Sequence, residues 1–132
     1  MTEKEIKTDL PGGALAYLGD SVLETLTRER LLRSGIHDVG KLNSMALSFV
    51  TATAQSRALE NILPCLTAQE TDVFKRGRNF HGASIPKSAS AGEYRRATGM
   101  EALFGWLYLK GETDRMRRLF DMAYPERTDD EI

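Results

Sequence analysis

Apolar residues recur along the chain at three- and four-residue steps, and no segment sustains the period-two alternation of a strand. Leu15, Leu18, Val22 and Leu26 form the clearest stripe, one face of an amphipathic helix. Pro11 suits the first turn of that helix and Gly35 its C-terminal stop, so it should run to about Arg33. A shorter helix is expected over 39–47, and another over 52–62, ahead of Pro64. Thr67-Ala68-Gln69-Glu70 and Ser90-Ala91-Gly92-Glu93 both read as capping boxes. The first opens a helix ending near Asn79, and the second opens one that reaches Leu109, with Gly111 beyond it. Residues 112–124 can form the last helix. The stretch 80–89 contains Gly82, Ser84, Pro86 and Ser88 and reads as a loop. The expected fold class is therefore all-α.

At 132 residues the chain is long enough for one real core and too short for two. The pattern divides it into an arm over 1–10, a helical domain over 11–124 and an acidic tail over 125–132. No apolar run approaches membrane-spanning length, and the start, Met1-Thr2-Glu3-Lys4-Glu5, is charged rather than signal-like. Cys65 is the single cysteine, which excludes an intramolecular disulfide and points to a reducing, cytoplasmic setting. Its neighbours Leu63, Pro64 and Leu66 make a small buried filler the expected role.

Asp20 breaks the pattern. It lies close to the apolar stripe and directly after Gly19, where an unpaired carboxylate would be expensive and a helix gains nothing from aspartate. A metal ion and a buried basic partner are the two explanations for its charge. Glu101, on the later capped helix, could converge with it at helix-packing distance. The same two explanations stand for Glu101, with Arg95 and Lys87 as the candidate basic partners.

The run Tyr17-Leu18-Gly19-Asp20-Ser21-Val22-Leu23-Glu24 resembles the signature of the ribonuclease III catalytic domain. The run Thr98-Gly99-Met100-Glu101-Ala102-Leu103-Phe104-Gly105-Trp106-Leu107-Tyr108-Leu109 resembles that domain's second carboxylate helix, and the two occur in the family's order. Lys75-Arg76-Gly77-Arg78-Asn79, Pro86-Lys87 and the Tyr94–Gly99 segment are similar to the short branch called Mini-III ribonuclease. The resemblance implies a ribonuclease III-type helical domain and a Mg²⁺-dependent endonuclease. It also implies a homodimer that cuts double-stranded RNA, with 23S ribosomal RNA precursor as substrate. Asp20 and Glu101 would be the catalytic, metal-holding residues, and Tyr17 would stand at the dimer interface, with a core tyrosine as the competing role. Two acids of the usual family set are replaced, by Ala16 and by Thr98, so the metal site is barer than in most relatives. With 14 residues before Leu15 and 23 after Leu109, a separate RNA-binding domain is not expected, and the catalytic domain must supply its own grip.

Charge enters last. The formal net charge of −1 hides a segregation. Lys75, Arg76, Arg78, Lys87, Arg95 and Arg96 face only Glu93 within 74–96, whereas five acids crowd the stretch from Asp121 onward. The basic segment fits a phosphate-contacting surface. Arg76, Arg78, Asn79, Lys87 and Arg95 are the expected RNA-binding residues, and A-form RNA is read by shape through phosphates and 2′-hydroxyls. Glu24 is expected to pair with Arg28, one helical turn on. His81, in the basic loop, is placed to meet a phosphate; His37 reads as a surface or cap residue. Leu103, Phe104 and Trp106 read as core.

Overall fold

The computed structural model describes residues 9–80 and 90–126. His81, Lys87, most of the expected 80–89 loop and most of the acidic tail lie outside these residues. The described chain folds into six α-helices: α1 (Gly12–Arg33), α2 (Val39–Val50), α3 (Ala52–Ile62), α4 (Ala68–Arg78), α5 (Ala91–Leu109) and α6 (Thr113–Ala123). A short 3-10 turn, Leu63–Cys65, links α3 to α4. No strand occurs among the described residues.

Both expected capping boxes are present. Thr67 Oγ1 accepts from the Glu70 amide while Glu70 accepts from the Thr67 amide, and Ser90 and Glu93 do the same. Each pair satisfies two amides that a helix start leaves without intrahelical partners. Gly35 and Gly111, at φ +95° and +73°, turn the chain out of α1 and α5 through the left-handed region. Helix α2 continues three residues past the expected stop, until Thr51 takes over as N-cap of α3.

Helix α5 is the central element, packed by α1, α4, α3 and α6. Met100, Ala102, Leu103 and Phe104 are fully buried, and Trp106 nearly so. Helix α6 contributes the stripe Met116, Leu119, Phe120 and Ala123. One buried charge is stapled: Glu70, which already caps α4, accepts from Arg115 Nε and Nη2 at 2.9 and 2.8 Å. Cys65 is exposed, contrary to expectation, because the 3-10 turn directs Leu63 and Leu66 toward the core and leaves Pro64 and Cys65 outside.

Helix α2 buries none of its residues. Phe49 holds it to the body, stacking on Phe120 with centroids 6.3 Å apart and leaning on Tyr124 at 4.9 Å. The Tyr124 hydroxyl donates to the Phe49 carbonyl at 2.7 Å. The Arg30 guanidinium lies over Phe120 and donates to Asp121 at 2.8 Å and to the Tyr124 carbonyl. An open groove of about 1320 Å³ runs between α2 and this cluster.

Candidate active site

Helices α1 and α5, the two longest, cross antiparallel with their backbones in contact. A methyl group built on Gly19 would fall 1.6 Å from the Glu101 carbonyl oxygen, and one on Gly105 would fall 2.1 Å from that of Leu15. Only glycine permits this approach. Asp20 follows Gly19, and Glu101 precedes Gly105 by one turn, so the crossing sets the two acids against each other. On the other flank of α5, a methyl on Gly77 would meet the Ala102 Cβ at 2.5 Å and the Thr98 carbonyl at 2.9 Å. The end of α4, with Arg78 and the C-cap Asn79, is thereby docked against the turn that carries Glu101.

Asp20 is exposed, which corrects the expectation that it sits on the buried side of α1. It lies just past the edge of the buried arc formed by Ala16, Leu23 and Thr27, and Glu101 is the more deeply set of the pair. Burial, chiefly, and then the negative charge of Asp20 and a hydrogen bond with its carboxyl push the Glu101 carboxyl up to about 8. Without a cation, the pair therefore holds a proton across the neutral range. Among the described residues neither acid makes an ion pair, and Arg95 stands exposed without one, so the basic partner considered for them is not found there. Ala16 is buried, and the Thr98 hydroxyl donates to the Tyr94 carbonyl at 2.9 Å. No group of three or more His, Cys, Asp or Glu gathers among the described residues.

The expected RNA-facing residues separate into two groups. Arg78 Nε donates to Asn79 Oδ1 at 3.3 Å, its guanidinium lies over Phe74, and like Lys75 and Arg95 it has no acidic partner among the described residues. Arg76 instead ties down the start of the domain, donating to Asp9 at 3.2 Å and to the Leu10 carbonyl at 3.1 Å, with Asp72 at 3.6 Å. Arg96, from the same basic segment, pairs with Glu60 at 2.8 Å. Lys87 lies outside the described residues. Glu24 stands 3.7 Å from Arg28, as its spacing predicts. Tyr17 is 86% exposed, which removes the core role considered for it. The glycine crossing is what residue-by-residue reading misses; the signal for it is a glycine inside each of two helices, beside each acid.

Residues 13–112 match the model of the Ribonuclease III domain, and the chain belongs to the ribonuclease III family. A Mini-ribonuclease 3 of Symbiobacterium thermophilum is 48% identical over 86% of this chain and 88% of its own length. The corresponding protein of Brevibacillus brevis is 37% identical over 83% of this chain and 82% of its own. Within the family, the chain is therefore one of the Mini-ribonucleases 3. A crystal structure of a protein from Fusobacterium nucleatum, 29% identical, covers 92% of this chain and 96% of its own with a TM-score of 0.80.

Proposed function

We propose that this protein is a Mg²⁺-dependent endoribonuclease that cuts double-stranded RNA and acts in the maturation of 23S ribosomal RNA precursor. The observation that carries the reading is the convergence of Asp20 and Glu101 where α1 and α5 cross. Two hard oxygen donors, one reachable from solvent and one drawn to neutrality chiefly by burial and then by its neighbour's charge, suit a divalent cation that keeps most of its waters. When bound, Mg²⁺ would supply an activated water and stabilise the departing 3′ oxygen, giving 5′-phosphate and 3′-hydroxyl products. Asp20 and Glu101 would hold it, with Glu101 giving up its proton on loading. Arg78, Asn79 and Arg95 contact phosphates beside the scissile bond, and Lys87 adds to that contact. Arg76 positions the start of α1 against the end of α4 rather than meeting RNA directly. Tyr17, an aromatic ring on an open helix face, is the contact of a homodimer in which each site cuts one strand. The protein works in the cytoplasm.

Purified protein, long duplex RNA, and Mg²⁺ against EDTA test this reading. Cutting should require the metal, and Asp20→Asn and Glu101→Gln should each lower it on the order of a thousandfold, the scale of several kcal/mol of lost charge stabilisation. Salt-sensitive RNA binding without any cutting would replace the enzyme with a catalytically silent binder.

A further inference from the structure

We propose that Gly105 is a positioning residue, fixing the separation at which Asp20 and Glu101 can share one cation; this rests on the reading of those two acids as Mg²⁺ ligands. Glycine in a helix interior costs about 0.5–1 kcal/mol relative to alanine, so its presence there calls for a reason. The atoms that a Gly105 methyl would meet are all backbone: the Leu15 carbonyl oxygen at 2.1 Å, the Gly19 nitrogen at 3.0 Å and the Leu15 carbonyl carbon at 3.1 Å. No side-chain rotation relieves such a clash, so α1 must move away from α5 as a body. Gly105 lies one turn from Glu101, and the backbone it meets belongs to Leu15 and to Gly19, the residue directly before Asp20. Any displacement is therefore delivered to the carboxylate pair itself. With Ala16 and Thr98 in place of further acids, no other carboxylate of the usual family set remains to hold a cation while the two drift apart. Ligand constellations lose function when they loosen by more than about 0.5 Å.

Gly99 supplies the matched control. A methyl there would meet the Phe74 ring at 2.5 Å and the Phe74 carbonyl at 2.8 Å, so it strains the α4–α5 contact and leaves the α1–α5 crossing alone. Mn²⁺ serves as the probe, its binding read from the electron paramagnetic resonance signal of the free ion. Gly105→Ala should weaken Mn²⁺ binding at least ~10-fold, the scale seen when groups that orient metal ligands are lost. Gly99→Ala should stay within about twofold of the unaltered protein, with a comparable loss of thermal stability. Asp20→Glu adds one methylene at an exposed position without touching the crossing, and it should weaken Mn²⁺ as well. The proposal is overturned if folded Gly105→Ala binds Mn²⁺ like the unaltered protein, or if Gly99→Ala loses as much. Should Gly105→Ala fail to fold, undiminished binding by Asp20→Glu overturns it equally. Undiminished binding by Asp20→Asn instead removes the ligand reading on which it rests.

Discussion

Helices α1 and α5 touch backbone to backbone and bury most of the core between them, whereas α2 buries no residue and reaches the core cluster through one phenylalanine, Phe49. The same chain thus contains a crossing with no room for one added methyl group and a helix with no buried residue. Both carboxylates of the candidate site stand on the first. The open groove lies beside the second. The candidate carboxylate pair is thus placed where packing leaves no slack.

The sharpest way to break this contrast is to hollow out the rigid side. Phe104, fully buried on α5, should cost about 3–5 kcal/mol when replaced by alanine, measured by urea unfolding. A loss below about 1 kcal/mol would mean that the α5 core is far less packed than its burial implies.

The next effect is electrostatic. Glu101 is raised to about 8 in the folded protein against an ordinary 4.5, so the folded state holds a proton that the unfolded chain releases. Metal-free protein should be most stable below about pH 4.5 with respect to this group, and should lose that contribution as pH climbs toward 8. At about 1.4 kcal/mol per pH unit, discounted because the carboxyl is partly open, the fall is on the order of 2 kcal/mol. Melting temperatures at several pH values in EDTA would record it. Glu101→Gln should flatten the profile, and an unchanged slope in that variant would assign the dependence to other groups.

Smaller again is the tether of α2. Tyr124→Phe removes the hydrogen bond to the Phe49 carbonyl, worth about 1 kcal/mol. Amide exchange in α2 should quicken roughly fivefold while α1 and α5 keep their protection. Uniform quickening across all helices would show that α2 opens only with the whole domain. Least of all, Leu47→Ala, at a position 59% exposed on α2, should change stability by no more than about 0.5 kcal/mol in the same urea titration.

Much of the fold was legible because its signals are local. Capping boxes, terminal glycines and apolar spacing act within a few residues, and they placed α3, α4 and α5 closely. The candidate site was legible through its two motifs, since each acid sits in a distinctive run on its own helix. What escaped depends on tertiary contact. The exposure of Asp20 turns on a few degrees of helix rotation at the edge of the buried arc, and the exposure of Cys65 on a 3-10 turn between leucines. The engagement of Arg76 with Asp9 and Leu10 links residues far apart in the chain, which no local pattern encodes.

Asp20 and Glu101 are separated by 81 positions in the chain, yet they meet where α1 and α5 cross. Contacts so distant in sequence must offset the entropy of closing a long loop, which makes them slow to form. During synthesis the chain carries its aspartate from early on, but it has no paired acids until the fifth helix has left the ribosome. An unfinished copy therefore holds no paired acids, and the candidate site is completed only by the later part of the chain.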